Sequence, residues 1–301
     1  MYPSNFEYYR PSNLNEALEL LANGECRPIA GGQSLVPLMK LRIVAPKCLV
    51  DLGRIESLRT IAIEGDVLKV GAMVTHEEIV ESQIIEEFSP VLALTAESIG
   101  DLQVRNRGTI GGSLAHADPS ANYLPTLLAL EAEVVVVSPL ARRVVPMADF
   151  VKGPYTTDLR QGELLEAVMI PRYRGRGIVE KFAIRKADFA IGLVTMLYKV
   201  IEGKLDDLRL AVGALATGPV RLRKVEEKLR GGELNPKAAE DVLKEEVALL
   251  QPVDDIHGGA EYRRRVIFTL VKRMLEGLAR GRDNEGQVED QWGGKGGRCG
   301  A

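Results

Sequence analysis

Cysteine and histidine are both scarce in this chain. Its 301 residues include three Cys (Cys26, Cys48, Cys299) and three His (His76, His116, His257). An odd thiol count with no C-x-x-C pair supports neither a disulfide framework nor a zinc ribbon. An iron–sulphur cluster normally takes four thiolates, so the chain cannot hold one alone. The histidines lie far apart, which excludes a local His-rich metal site, and no metal ligand is expected. A basic surplus is missing too: 39 Lys and Arg stand against 42 Asp and Glu, a formal net charge of −3. Nucleic-acid binders usually carry excess positive charge that neutralises phosphates, so that class is excluded. Uncharged runs such as 28–39 and 119–130 fall short of the roughly 18 apolar residues of a membrane span. The N-terminal residues 1–13 lack the apolar core of a signal peptide. The expectation is a cytoplasmic protein with no membrane span.

With 46% hydrophobic and 27% charged residues, the chain can build real cores and divides into two or three domains. Residues 1–55 read as a small βαββ lobe, with a helix capped by Asn13 and strands at 27–30 and 48–52. A second α+β lobe spans 56–175. It has a hairpin at 60–63 and 67–71, a Thr75/Glu78 capping box, helices at 90–99 and 119–130, and strands at 133–138 and 164–170. A third unit, 177–280, opens with long β-rich runs at 189–201 and 205–215, followed by helices at 219–229, 236–250 and 261–280. Strands followed by helices argue for α+β rather than a doubly wound sheet. The polar, Gly-rich segment 281–301 reads as a disordered tail or an arm that contacts a partner.

Two segments share one design: Ile29-Ala30-Gly31-Gly32-Gln33-Ser34-Leu35 and Thr109-Ile110-Gly111-Gly112-Ser113-Leu114. Glycine pairs can adopt left-handed conformations that turn successive N–H groups toward one anion, and they place no Cβ between backbone and ligand. Ser and Thr hydroxyls add neutral donors. Two such nests fit one diphosphate, and the alternative is that each pair is simply a turn. Neither G-x-G-x-x-G nor G-x-x-x-x-G-K-[ST] occurs. Gly111-Gly112-Ser113-Leu114-Ala115 lacks the second Gly of a nucleophile elbow. No triad or carboxylate pair is arranged for acid–base work, so no catalytic side chain is assigned.

Ala30-Gly31-Gly32-Gln33-Ser34 and Val104-Arg105-Asn106-Arg107-Gly108-Thr109-Ile110-Gly111-Gly112-Ser113 resemble the two flavin pyrophosphate loops of the medium subunit of molybdenum hydroxylases. That family includes aerobic carbon monoxide dehydrogenase, xanthine dehydrogenase and archaeal aldehyde or glyceraldehyde oxidoreductases. The likeness continues through Ala117-Asp118-Pro119-Ser120-Ala121-Asn122-Tyr123-Leu124-Pro125, Lys181-Phe182-Ala183-Ile184-Arg185-Lys186-Ala187-Asp188-Phe189-Ala190, Thr217-Gly218-Pro219-Val220-Arg221 and His257-Gly258-Gly259-Ala260-Glu261-Tyr262-Arg263-Arg264, over about residues 2–280. It departs from the family pattern at Gln33, where carbon monoxide dehydrogenase-like chains often have His. Asn122 stands where many relatives have Asp, and the 185–189 segment is one residue shorter.

The resemblance implies a p-cresol methylhydroxylase-type FAD fold of two lobes, followed by the family's C-terminal α+β domain. FAD would lie between the lobes, held by Ala30, Gly31, Gly32, Gln33, Ser34 and Leu35 and by Thr109, Ile110, Gly111, Gly112 and Ser113. Asn122 would meet its ribose or adenine. Lys186 or Arg185 would supply a cation near the flavin, with a surface pair as the alternative. Phe189 would lie against the ring or pack in the core. His116 would line the cofactor or serve as a loop histidine. The implied partners are a large molybdopterin-binding subunit and a small two-iron two-sulphur subunit, in a dimer of heterotrimers. The rival reading is a self-sufficient FAD oxidase of a small alcohol or hydroxy acid, which needs a substrate base that the sequence does not offer.

Overall fold

The computed structural model describes residues 2–232 and 235–280. The expected tail, 281–301, lies outside them. The chain begins with β1 (Glu7–Tyr9), α1 (Leu14–Leu21), β2 (Cys26–Ile29), α2 (Leu35–Lys40) and β3 (Cys48–Asp51). Asn13 caps α1 by accepting from the Glu16 N–H at 3.0 Å, a contact whose loss costs about 1 kcal/mol. The three strands form a parallel sheet in the order β1-β3-β2. This corrects the βαββ reading to βαβαβ: the Leu-rich segment between β2 and β3 forms α2, too short to show a helical period, and carries the chain across to the parallel β3. A second correction concerns the thiols: Cys26 and Cys48 form a disulfide. The parallel register sets them directly opposite each other, with their Cα atoms 4.5 Å apart. Their spacing in sequence carries no information about that register.

The second unit contains β4 (Ile61–Glu64), β5 (Val67–Gly71), α3 (His76–Glu81), α4 (Gln83–Phe88), α5 (Pro90–Glu97), α6 (Leu102–Arg105), α7 (Ile110–His116), α8 (Tyr123–Ala129), β6 (Glu133–Val137), β7 (Arg142–Pro146), α9 (Met147–Phe150), β8 (Val151–Gly153), β9 (Thr156–Thr157) and β10 (Leu164–Pro171). Its antiparallel sheet runs β4-β5-β10-β6-β7, while β8 and β9 form a separate two-stranded ribbon. Period-two alternation divides the sheet's side chains between two cores. Val134, Val136, Val168 and Ile170 join the core under α5, α7 and α8. Val135, Val137, Leu164 and Ala167 join Ala17, Leu18 and Val50 beneath the parallel sheet. Both faces of β6 are therefore covered, which explains its unbroken valine run. The Thr75/Glu78 capping box forms as the sequence predicts.

The third unit holds β11 (Arg176–Phe182), β12 (Gly192–Ile201), β13 (Lys204–Gly213), β14 (Val220–Arg221), α10 (Arg223–Leu229), α11 (Glu240–Leu249) and α12 (Ala260–Ala279), with a 3-10 turn at Pro236–Ala239 before α11. Its four strands run in order as an antiparallel sheet. One face meets α10, α11 and α12 through Val194, Met196, Leu210 and Val212. The other sends Leu197 and Ala211 into the core shared with α8. The expected α+β class holds. Among the described residues no helix is long and apolar enough to cross a membrane.

Candidate flavin site

The first glycine pair follows the carboxyl end of β2, the end of a parallel strand at which ligands gather. Gly32 has φ +73°, the left-handed region that favours glycine. Its carbonyl accepts from the Val36 N–H at 3.0 Å and so starts α2. Among the described residues, the N–H groups of Gly31, Gly32, Gln33 and Ser34 donate to no other group. Gln33 and Ser34 are exposed, whereas Ala30, Gly31, Gly32 and Leu35 are half-buried. A row of unspent N–H groups around one left-handed glycine is an anion nest.

The second glycine pair is different. Gly111 and Gly112 lie in the first turn of α7, and neither has positive φ. The N–H groups there are already used: Ile110 donates to Val74, Gly111 to Ala72, Gly112 to the Thr109 hydroxyl and Ser113 to the Thr109 carbonyl. This corrects the expectation of two equivalent nests. A Cβ on Gly111 would lie 2.5 Å from the Ala72 Cβ and 2.6 Å from its carbonyl oxygen, so this glycine lets α7 pack closely on the turn that follows β5. A Cβ on Gly112 would come 3.4 Å from the Ala30 Cβ, so Gly112 faces the first loop.

The fold brings the two loops into contact. A Cβ on Gly31 would lie 1.8 Å from the Arg107 carbonyl oxygen and 2.8 Å from the Gly108 Cα. Three consecutive residues hold the second loop in place. Thr75 bridges Thr109, the His76 N–H donates to the Gly108 carbonyl at 3.0 Å, and Glu77 pairs with Arg105 at 2.7 Å. The His76 ring is buried against Gly108, and its Nδ1 is 3.0 Å from the Tyr123 hydroxyl. Burial, with Arg105 adding to it, lowers the His76 pKa to about 4.

The remaining expected residues are spread more widely. His116 ends α7 half-buried, its ring 5.2 Å from that of Tyr155, and burial lowers its pKa. Asn122 is buried and donates to the Ser98 carbonyl at 3.0 Å and hydroxyl at 2.7 Å. Phe189 is 66% exposed, which counts against the core-aromatic alternative. Lys186 is exposed, and its carbonyl accepts from Lys181 at 3.4 Å. Lys181, near the end of β11, is a half-buried cation that sequence reasoning did not single out. Its ammonium also donates to the Ser98 carbonyl at 2.9 Å, and burial lowers its pKa to about 8. The only signal for it was its position at the head of the 181–190 run.

The nest, the wall supplied by Gly112 and the seam at Gly31 form one cradle that suits a diphosphate, as in a protein that binds a nucleotide cofactor. The chain matches the family model described as FAD binding domain in molybdopterin dehydrogenase over residues 4–173, and that described as CO dehydrogenase flavoprotein C-terminal domain over 178–278. It belongs to this family of FAD-binding medium subunits of molybdenum hydroxylases, and its cofactor is FAD. It is 34% identical over 281 residues to the glyceraldehyde dehydrogenase medium chain of Sulfolobus acidocaldarius, covering 93% of this chain and 100% of that one. It is 37% identical over 270 residues to the nicotine 6-hydroxylase medium subunit of Paenarthrobacter nicotinovorans, covering 89% and 95%. The crystal structure of quinoline 2-oxidoreductase from Pseudomonas putida 86 matches with a TM-score of 0.89 and 34% identity, over 94% of this chain and 99% of the other.

Proposed function

We propose that this chain is the electron-transfer subunit of a cytoplasmic molybdenum hydroxylase that oxidises an aldehyde such as glyceraldehyde, or carbon monoxide. Its partners are a large molybdopterin-binding subunit and a small two-iron two-sulphur subunit, arranged as a dimer of heterotrimers. Its domains are 1–55, 56–175 and 177–280, and FAD lies between the first two. The observation that carries this reading is the packing of Gly31 on Arg107, which makes one cradle from two loops. Gly31, Gly32, Gln33 and Ser34 offer N–H groups to the diphosphate, with Ala30 and Leu35 flanking them. Thr109 and Ser113 add hydroxyls, Gly112 keeps the wall thin, and Ile110 and Gly111 anchor α7. Lys181, braced by Ser98 and Asn122, holds positive charge beside the flavin, with Lys186 and Phe189 on the adjoining loop and His116 at the far end of α7. When bound, FAD accepts and passes on electrons.

The test is an assay of the purified chain with glyceraldehyde and an artificial dye, with and without the two partner subunits. Substrate-dependent dye reduction should require all three. Turnover by this chain alone would favour the self-sufficient oxidase.

A further inference from the structure

The loop that carries the nest hangs from a weak strand. β2 has four residues and sits at the edge of its sheet, with β3 as its only strand neighbour among the described residues. One of the four is Pro28, which has no N–H to give to the ladder. Across that ladder Cys26 is bonded to Cys48. Residues 26–48 therefore form a closed covalent ring that contains the whole nest and α2. A groove of about 480 Å³ runs beside the bridge, lined by Gly24, Glu25, Arg27, Pro46 and Lys47 among others, which include chain neighbours of both cysteines. Cys26 is half-buried and packs on the core beneath the parallel sheet, and Cys48 is buried, so Cys26 is the less enclosed residue of the two.

We propose that the Cys26–Cys48 disulfide is a redox-sensitive clamp on the FAD loop, opened by a dithiol reductant through thiol–disulfide exchange. This rests on the reading that Gly31–Ser34 hold the diphosphate. An attacking thiolate bonds to the Cys26 sulphur, and Cys48 leaves as a thiolate and takes up a proton. The reductant's second thiol then resolves the mixed disulfide and frees Cys26. The bridge gains two electrons and two protons, and the reductant leaves as a disulfide. Opening the ring returns conformational freedom to the segment between the cysteines, which are 22 positions apart in sequence. That freedom falls on the edge strand and the nest, because β3 stays paired with β1 on its other side.

The experiment follows FAD release from the purified holo-chain by the rise in flavin fluorescence, before and after treatment with a phosphine reductant. Alkylation and intact-mass measurement count the free thiols in each sample. Unreduced protein should expose one of its three thiols, and reduction should expose three and speed FAD release about tenfold, an effect within what loop closure supplies. The Cys26→Ser/Cys48→Ser variant should release FAD at the faster rate whether or not reductant is present, while Cys299→Ser should respond like the parent. Equal release from oxidised and reduced protein, or three reactive thiols before reduction, overturns the clamp. If the double variant does not fold, the comparison of the two parent samples decides. Tight FAD binding by Gly32→Val would instead overturn the loop assignment on which the clamp depends.

Discussion

The Cα of Gly31 is packed on the carbonyl oxygen of Arg107, so that a methyl group added there would sit 1.8 Å from that oxygen. Both atoms belong to backbone, and neither can swing away as a long side chain would. Gly31→Ala should therefore separate the two loops, weaken FAD binding at least about tenfold and cost about 1–3 kcal/mol of stability. Gly65→Ala is the comparison: its φ is +65° with nothing within 4 Å, so it should cost about 1 kcal/mol of backbone strain and leave FAD affinity intact. Titration of the apo-chain with FAD and thermal unfolding separate the two effects. Unchanged affinity in Gly31→Ala would show that the seam does not shape the cradle.

His76 gives stability a pH dependence. Its ordinary pKa is 6.5, and burial against Gly108 and Tyr123 lowers it to about 4 in the folded chain. Above pH 6.5 both folded and unfolded forms are neutral at this ring. Between 6.5 and 4 the unfolded chain takes up a proton that the folded chain refuses, so stability falls as pH falls, by up to about 3 kcal/mol. The carboxyls of Glu78, Glu163 and Asp255, held below their usual range, begin to lose their stabilising contribution only near their unfolded values of 4.5, 4.5 and 3.8, at the acid end of this window and below it. His116 is only half-buried and contributes with the same sign. In His76→Gln, the loss of unfolding temperature between pH 6.5 and 4.5 should be clearly smaller than in the parent. Parallel curves would remove His76 from the account.

Local signals were legible in the sequence because they are fixed by neighbours in the chain. The Thr75/Glu78 box, the Glu64-Gly65-Asp66 turn and the long strands β12 and β13 depend on spacing alone. The Cys26–Cys48 bridge depends on strand register, and the contact of Gly31 with Arg107 depends on how α7 docks. A glycine pair looks the same in sequence whether it cradles an anion or admits a neighbouring turn of backbone. Only the position of Ala72 shows that Gly111 does the second. Lys181 was hidden for a related reason: the run 181–190 has two other basic residues, and burial alone singles out this one.

Arg221 and Glu226 form a buried pair at 2.7 Å, with side-chain exposures of 6% and 4%. Glu226 also accepts from the Leu210 N–H, while Arg221 reaches Glu131 in the second unit at 2.7 Å. Removing one member leaves the other charged and unpaired in the interior. Arg221→Met should cost about 3–5 kcal/mol. Glu131 is 56% exposed, so Glu131→Gln should cost under about 1 kcal/mol. Denaturant unfolding at pH 7 measures both, and equal losses would mean that the link to Glu131, rather than the buried pair, holds the third sheet in place.

Lys181 gives the sharpest electrochemical expectation. Its ammonium is fixed by the Ser98 and Lys186 carbonyls, and Asn122 fixes Ser98 in turn. In the proposed arrangement Lys181 lies beside the flavin, where its positive charge favours the electron-rich form. Lys181→Met removes the charge while nearly keeping the volume, and should lower the midpoint potential of bound FAD by about 30–60 mV, on the scale of 30 mV per 1.4 kcal/mol for two electrons. FAD content should stay stoichiometric, because the diphosphate contacts are untouched. With its pKa near 8, Lys181 loses its proton as pH rises through that value. The parent's potential should therefore fall more steeply than the variant's between pH 7 and 9, and the two should converge at the alkaline end. Spectroelectrochemical titration across that range is the measurement. A constant gap between parent and variant at every pH would assign the effect to packing rather than to charge.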